Sequence, residues 1–237
     1  MTEQDLERIL NIPLFDALTR EECEKIAEGL RFHTYKRNDY VFRSGDQADR
    51  LYIVIRGRMK IFRALPDGRE QVLYLYNEDD FVGGFNLMKK TKYIYNAQVL
   101  CESEIATLDK DSFDAIVLKN PAMLLKILEK SYERVRWAEG LLDRLVSNST
   151  DARVASLILD LVRDYGIVSG KFLKLVLPMN REDLGSFCGM TRETFTRKLI
   201  DFQKQEIVRM DSQRDMVILD PDRLRLIAGS EDTGVFS

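Results

Sequence analysis

The sequence predicts an α+β protein in which a β-roll, or jelly-roll barrel, is followed by one long helix and a winged helix-turn-helix. Short apolar runs separated by turn residues fill the region from 32 to 108, and an unbroken helical period begins after Asn120. From about Ser149 the order becomes helix, strand, two short helices and a hairpin. The predicted domains are therefore a β-roll (1–120), a long helix (121–148) and a winged-helix domain (149–237).

Composition and charge exclude several classes of protein. The chain has 237 residues, of which 45% are hydrophobic and 32% charged, so it can bury a core. A net charge of -3 argues against binding polyanions by bulk charge, so any nucleic-acid site must be locally basic. No run approaches the roughly 18 apolar residues of a membrane span, and the acidic N-terminus lacks a signal-peptide pattern. We expect a cytoplasmic protein with no membrane partner.

Histidine and cysteine usage argues against an enzyme or a metal protein. His33 is the single histidine, which excludes most histidine-based triads and multi-histidine metal sites. Cys23, Cys101 and Cys188 are far apart and form no CxxC, so we interpret them as reduced thiols, with redox sensing by one of them as the alternative. The chain also lacks a GxxxxGK phosphate loop and an HExxH motif. We expect neither catalysis nor a bound metal.

The N-terminal region combines small helices with a strand-rich segment. Thr19 followed by Glu22 is typical of a capping box at a helix start. Pro66-Asp67-Gly68 predicts a hairpin turn, because proline presets one turn angle and glycine supplies a positive φ. Other corners of the roll are predicted at Gly45, Gly57 and Gly83.

The helix from Pro121 to about Ser147 carries apolar residues at near-heptad spacing. Such a stripe usually packs on another helix, and charged residues flank it here. We predict a dimer seam between two copies of the chain; the alternative is a helix that lies on its own barrel. The seam residues are Leu128, Tyr132, Val135, Ala138, Leu142 and Leu145.

The polar segment Ser147–Thr150 is the best candidate boundary before the last domain. An amphipathic helix is predicted over 151–165, followed by a strand in FLKLVLPM. Two short helices are predicted over 180–190 and 191–203, with Gly189 ending the first. EIVRM and MVILD form a hairpin with its turn near 212–215. This order is that of a winged helix.

The second helix of this pair has two chemically different faces. At about 100° per residue, the core side holds Phe195, Leu199 and Phe202, and Ile200 interrupts the polar side. The polar side suits a DNA major groove, because guanidinium groups pair with guanine and carboxylates accept from cytosine. The window 192–204 has four basic and two acidic residues, a local charge of +2. The expected DNA-contacting residues are Thr191, Arg192, Glu193, Thr196, Arg197 and Lys198.

Two other interpretations of that helix remain open. Any surface helix can show a solvated charged face. A winged helix can also serve a ligand-binding signalling module by contacting protein rather than DNA.

From about Leu14 to Ile227 the chain resembles bacterial transcription regulators of the cAMP receptor protein and fumarate-nitrate reduction regulator (CRP/FNR) superfamily. The resemblance rests on YKRNDYVFRSGDQADRLYIVIRGRMKIFRALPDGREQVLYLYNEDDFVGG and on MTRETFTRKL. It implies a cyclic-nucleotide-binding-like β-roll, a homodimer, an inverted-repeat operator in double-stranded DNA, and RNA polymerase as a partner.

The resemblance also implies residue roles in the recognition helix. Arg192, Glu193 and Arg197 match the family positions that read base edges. Thr196 matches a position held by glycine or serine in the best-known members. Arginine at 192 makes the expected half-site TGTGA rather than TTGAT.

The effector site departs from the family's cyclic-nucleotide cassette. Gly84 stands where a glutamate holds the ribose, Tyr93-Ile94-Tyr95-Asn96 replaces the Arg-Ser pair for the phosphate, and Ala138-Glu139 replaces the Thr-Ser pair for the base. We therefore do not expect cAMP in the usual mode. An iron-sulfur cluster is not expected either, because the N-terminal cysteine cluster is absent.

The effector is unknown from sequence, and a protein that needs no ligand fits equally well. The aromatic residues near the cassette line a pocket for an apolar or aromatic ligand in one interpretation and form plain core or dimer packing in the other. The candidate pocket residues are Gly83, Gly84, Tyr93, Tyr95, Asn96, Arg134, Trp137 and Ala138.

Overall fold

The computed structural model describes residue 7 and residues 9–89, 91–146, 149–169 and 172–229. The chain divides into two compact units, Met1–Trp137 and Ala138–Ser237. The predicted α+β class, with a β-roll, a long helix and a winged helix-turn-helix, is confirmed. The three-part division of the chain stays a prediction, and two of its boundary residues, Ser147 and Asn148, lie outside the described residues.

The first unit is built on two antiparallel four-stranded sheets. One has the strand order β1-β8-β3-β6 and the other β2-β7-β4-β5, so strands distant in sequence lie side by side, as in a jelly roll. The strands are β1 (Leu30–Tyr35), β2 (Tyr40–Phe42), β3 (Arg50–Arg56), β4 (Met59–Ala64), β5 (Glu70–Tyr76), β6 (Phe81–Val82), β7 (Asn96–Val99) and β8 (Ser103–Asp109).

The turn chemistry predicted for this unit is confirmed where it can be checked. At the β4–β5 hairpin, the Leu65 N–H donates to Arg69 O at 2.8 Å, and Gly68 has a φ of 83°. At the first α-helix, the Glu22 N–H donates to Thr19 Oγ1 at 3.3 Å and the Thr19 N–H donates to Glu22 Oε2 at 2.8 Å. Both halves of the capping box are therefore formed.

The first unit also contains α-helices and two short 3-10 helices. The 3-10 helices are Pro13–Phe15 and Val117–Lys119. The α-helices are α1 (Arg20–Gly29), α2 (Gly84–Lys89), α3 (Lys110–Ala115) and α4 (Pro121–Val146), the last of which continues into the second unit. Side chains of α1, α3 and the start of α4 share one buried cluster with the face of β3 and β8 that points away from the second sheet, which anchors these helices to the roll.

The second unit is the predicted winged helix with two additional elements. Its four-stranded antiparallel sheet has the order β11-β12-β10-β9. The short strand β9 and the final helix α8 were not predicted from the sequence. The elements are α5 (Thr150–Tyr165), β9 (Gly166–Ser169), β10 (Phe172–Val176), α6 (Arg181–Phe187), α7 (Arg192–Lys204), β11 (Val208–Met210), β12 (Asp215–Ile218) and α8 (Pro221–Ala228).

A sequence signal for α8 was present. Asp220 caps this helix by accepting from the Arg223 N–H at 2.9 Å, Pro221 occupies its first turn, and Gly229 ends it with a φ of 68°. These are the usual start and stop signals of a helix. Within the described ranges, no helix is long and apolar enough to cross a membrane.

Candidate nucleic-acid interface

Local caps fix the geometry of the helix-turn-helix. The Asp183 N–H donates to Asn180 Oδ1 at 2.9 Å, and the Thr194 N–H donates to Thr191 Oγ1 at 3.3 Å. Between the two helices Gly189 has a φ of 63°, which turns the chain. At Gly185 a Cβ would lie 3.0 Å from the Met190 carbonyl oxygen, so a glycine lets the turn pack closely on α6.

The core face of α7 is confirmed. Phe195, Leu199 and Phe202 are buried, and they hold the helix on the rest of the unit. Ile200, which interrupts the polar side in sequence, is 44% exposed. The helix therefore keeps one face fixed in the protein and the other open.

The open face displays charged groups that the protein itself does not use. Arg192, Glu193 and Arg197 are all exposed. None of these three side chains forms a hydrogen bond or an ion pair with the part of the chain that the structure describes. We call them the reading arc. Thr196, between them, is half-buried, and its hydroxyl donates to the Arg192 carbonyl at 2.8 Å.

Two of the expected DNA-contacting residues have structural roles. The Thr191 hydroxyl caps α7 and also donates to Thr194 Oγ1 at 3.2 Å. Lys198 projects from another side of α7, where its Nζ lies 2.9 Å from Asp151 Oδ1 and its side chain is 21% exposed. The charge of Lys198 is therefore paired within the unit, and its contact with DNA stays a prediction.

The wing adds basic groups that the sequence analysis missed. Arg214, at the β11–β12 turn, is exposed. Arg181, at the start of α6, donates to the Gln213 carbonyl at 3.3 Å and so ties the helix-turn-helix to the wing. Burial lowers the pKa of Arg181. Arg214 could have been identified from the sequence, because it lies in the predicted hairpin turn near 212–215. The contact of Arg181 joins residues 32 positions apart, and no local sequence pattern indicates it.

A buried ion pair joins the end of α4 to α5. The Arg144 guanidinium, at the end of α4, donates to the Asp160 carboxylate of α5, and the Arg144 side chain is fully buried. Arg163 adds a second contact to Asp160 at 3.3 Å. Nearby, burial raises the pKa of Cys188 to about 12. A buried thiol held in its neutral form does not react readily with oxidants.

In the first unit, several residues of the predicted effector pocket make structural contacts within the roll. Tyr93 is 1% exposed, stacks on Phe42 at 3.8 Å between ring centroids, and donates to the Arg50 carbonyl at 3.1 Å. Asn96 accepts from the Ser44 N–H at 3.0 Å. A Cβ on Gly83 would lie 2.5 Å from that Arg50 oxygen. For Tyr93 the interpretation as core is therefore favoured.

The other candidate pocket residues differ from one another. Tyr95 is half-buried and donates to Asn86 Oδ1 at 3.3 Å. Gly84 is buried at the start of α2, and Trp137 is half-buried on α4. Ala138 belongs to the second unit. Arg134, on α4, donates to the Phe81 carbonyl and lies over the Tyr76 ring at 4.9 Å.

The apolar stripe on α4 is open to solvent. Ala138 and Leu145 of the predicted seam are half-buried, so the exposed stripe differs from the predicted one at these positions. Its members are spaced alternately by three and four residues, except that Glu139 takes one position. The exposed apolar residues, which we call the α4 stripe, are Leu125, Leu128, Tyr132, Val135, Leu142 and Val146.

The β-roll and the winged helix-turn-helix with its free charged arc are the parts of a DNA-binding transcription regulator. The family description "Cyclic nucleotide-binding domain" matches residues 32–120, and "Crp-like helix-turn-helix domain" matches residues 152–227. The chain belongs to the CRP/FNR superfamily of bacterial transcription regulators. The resemblance inferred from the sequence is thereby confirmed.

Known proteins are similar to this chain over most of its length. A CRP-like cAMP-activated global transcriptional regulator of Mycobacterium tuberculosis is 28% identical over 89% of this chain and 94% of its own length. The transcriptional activator protein Anr of Pseudomonas protegens is 26% identical over 95% of this chain and 88% of its own. A mutant of CooA from Carboxydothermus hydrogenoformans has a TM-score of 0.78 at 20% identity, over 96% of this chain and 97% of its own. The first two are described as transcription regulators.

Proposed function

We propose that this protein is a homodimeric, sequence-specific regulator that binds a TGTGA-like inverted repeat in double-stranded DNA. The observation that carries the proposal is the reading arc. Arg192, Glu193 and Arg197 are exposed and project from one helix whose opposite face is buried. Water solvates these three exposed charges in the free protein, and because the protein does not engage them they are available to base edges.

The chemistry of the arc matches the expected half-site. A guanidinium pairs bidentately with O6 and N7 of guanine, and a carboxylate accepts from the cytosine amino group. Arg192 and Arg197 would each read a guanine, and Glu193 lies between them to accept from a cytosine of the complementary strand. Arg214 of the wing would contact phosphate, and such a contact positions the protein without reading sequence.

A dimer accounts for the α4 stripe and for a two-fold operator. An exposed row of apolar side chains at three- and four-residue spacing is the usual seam of a two-stranded coiled coil. Two copies related by two-fold symmetry would place their reading helices about one DNA turn, roughly 34 Å, apart. We also propose RNA polymerase as a partner, as the family resemblance implies.

We propose further that cAMP does not act in the usual mode. Gly84 offers no side chain to a ribose, and the segment expected to hold the phosphate contributes a buried Tyr93 and an Asn96 that is bound to Ser44. That segment, Tyr93-Ile94-Tyr95-Asn96, contains no arginine to pair with a phosphate in the usual position. An effector of different chemistry would act by binding one dimer arrangement more tightly than another.

The experiment compares base selectivity, not only affinity. Arg192→Ala and wild-type protein are titrated on duplexes that carry each of the four base pairs at the matching guanine. We expect a loss of about 1 to 3 kcal/mol on the TGTGA duplex and little preference among the four bases. Arg37→Ala, which removes an exposed arginine of the first unit, is the control. An equal loss on all four duplexes would make Arg192 a phosphate contact and overturn its reading role.

A further inference from the structure

One group of side chains in the β-roll has hydrogen-bond donors and a positive charge but lacks a matching acceptor. Tyr74 and Tyr76 lie two apart on β5 and so face the same side of the strand. Tyr95 precedes β7 of the same sheet, and Arg134 reaches this side from α4. We call these four residues the Arg134 group.

Arg134 is held in place but its charge is not neutralised. Its guanidinium donates one hydrogen bond to the Phe81 carbonyl and lies over the rings of Tyr76 and Phe81, at 4.9 and 5.8 Å. Its Nε atom is buried and has no hydrogen-bond partner. No carboxylate forms an ion pair with it within the described residues. A buried N–H group without an acceptor is unusual in a folded protein.

The tyrosine hydroxyls near Arg134 are also available. Burial raises the pKa of Tyr74, Tyr76 and Tyr95, and the Arg134 charge opposes that rise at each of them. Tyr95 donates to Asn86 Oδ1. The Tyr74 and Tyr76 hydroxyls have no recorded hydrogen bond within the part of the chain that the structure describes. Tyr74 and Tyr95 are half-buried, which leaves the group open to solvent on one side.

Asp80, which precedes β6, is already paired with another cation. Asp80 Oδ1 lies 2.5 Å from Lys130 Nζ, and Asp80 Oδ2 accepts from the Asn77 N–H at 2.8 Å. Lys130 also contacts Glu133, at 2.7 Å. Asp80 therefore pairs with Lys130, which lies one helical turn before Arg134 on α4.

We propose that the Arg134 group is a binding site for a small organic carboxylate with an aromatic or apolar body. The carboxylate would accept from the free N–H groups of Arg134 and from the Tyr74 and Tyr76 hydroxyls, and its body would lie against the tyrosine rings. One uncompensated guanidinium matches a single negative charge, and the planar fork of arginine suits the two carboxylate oxygens. That this ligand acts as the effector of DNA binding rests on the function proposed above; that it binds does not.

The first test measures ligand binding by titration calorimetry on the full-length protein without DNA. Benzoate is the probe, and benzamide, with the same shape and no charge, is its neutral match. We expect saturable benzoate binding that is at least roughly tenfold tighter than benzamide binding, because a charged hydrogen bond is lost. Inorganic phosphate is expected to bind at least roughly tenfold more weakly than benzoate, because it has no aromatic body to lie against the tyrosine rings.

Matched variants locate the site. Arg134→Gln should weaken benzoate binding at least roughly tenfold, whereas Arg136→Gln, which neutralises an exposed arginine on the same helix, should leave it unchanged. Tyr74→Phe removes only one hydroxyl and should weaken benzoate binding by a smaller factor. Circular dichroism is used to check that each variant is folded. No saturable benzoate binding to the folded wild type, or equal binding to wild type and Arg134→Gln, would overturn the proposal.

A second titration, on operator DNA with and without benzoate, separates the two proposals. If benzoate binds at Arg134 and changes the DNA affinity, the site is the effector site. If benzoate binds in the same way but the DNA affinity does not change, the anion site stands and its effector role is rejected. Failure of DNA recognition alone would leave the calorimetric result untouched.

Discussion

The reading arc of α7 and the Arg134 group of the β-roll are both built on arginine, but they are assembled in opposite ways. The arc lies within six consecutive residues of one helix, so local helix geometry brings its members together. The Arg134 group joins β5, the residue before β7, and α4, over 60 residues of sequence. A site of the first kind follows from helical periodicity, and a site of the second kind depends on the tertiary fold.

The two sites also differ in how their charges are balanced. The guanidinium groups of the arc are exposed to water, which screens them until a partner arrives. The Arg134 guanidinium is half-buried among aromatic rings, where its charge acts over a longer range. We therefore expect the arc to recognise a large polyanion and the Arg134 group to recognise a small one.

Disrupting the proposed dimer should have the largest effect, because it should weaken DNA binding without weakening ligand binding at the Arg134 group. Leu128 and Leu142 of the α4 stripe are each 61% exposed, and replacing both with glutamate puts charge into the proposed seam. Because a dimer binds both half-sites at once, we expect at least about a 100-fold loss of operator affinity. Benzoate binding at Arg134 should persist. Analytical ultracentrifugation and fluorescence anisotropy measure the two effects.

Arg136→Gln is the control for the stripe, since it alters charge on α4 without touching an apolar position. A glutamate variant that stays dimeric, or a monomer that keeps the wild-type operator affinity, would contradict the seam.

Breaking the buried ion pair should destabilise the DNA-binding unit. Asp160→Ala leaves the buried Arg144 cation without its carboxylate, and we expect a loss of about 3 kcal/mol in the free energy of unfolding. Replacing both partners with apolar residues, as Arg144→Met with Asp160→Leu, should recover most of that loss. Urea unfolding followed by circular dichroism checks both values. An unchanged midpoint for Asp160→Ala would show that the pair does not stabilise the unit.

Two glycines of the β-roll test whether a close backbone approach affects the free energy of unfolding. Gly83 has a φ of 106° and faces the Arg50 carbonyl, whereas Gly68 has a φ of 83° and nothing within 4 Å of its Cβ position. Gly83→Ala therefore adds a clash to the backbone strain, and we expect it to cost at least about 2 kcal/mol. Gly68→Ala should cost about 1 kcal/mol. Thermal unfolding measures both, and equal losses would mean that the close approach at Gly83 contributes nothing.

The smallest effect is expected at Cys188. Burial raises the pKa of its thiol to about 12, and the Sγ atom lies 3.5 Å from the Arg153 carbonyl oxygen. Peroxide should therefore change the operator affinity of the wild type by less than about twofold through this residue. Cys101→Ser, which removes the exposed thiol, serves as the control. A peroxide effect that disappears in Cys188→Ser would restore redox sensing there.

Much of the fold was predictable because its signals are local. The Thr19 capping box, the turn at Pro66-Asp67-Gly68 and the Asn180 cap each depend on residues within a few positions of one another. The buried face of α7 follows from the 3.6-residue period alone. The strand β9 was missed because Gly166 and the short run after it carry almost no alternation.

The candidate sites were predictable only where they are local. The reading arc needed no tertiary information, but the pairing of Lys198 with Asp151 joins two helices and was invisible in the sequence. Tyr93 was grouped with Tyr95 as a pocket residue, yet it contacts Phe42 and Arg50, which other strands and turns bring beside it. Tyr74 and Tyr76 were not singled out, because nothing in their strand indicates that Arg134 lies opposite.

The central claim is that the arc of α7 reads DNA sequence, and fluorescence anisotropy tests it most directly. Purified, reduced protein is titrated, with and without benzoate, on a labelled duplex of TGTGA and TCACA half-sites spaced about one helical turn, and on a scrambled duplex. At about 0.15 M salt we expect binding to the operator at least about 1,000-fold tighter than to the scrambled duplex. Arg192→Ala with Arg197→Ala should remove that difference. Equal wild-type affinity for the two duplexes under both conditions would contradict the account.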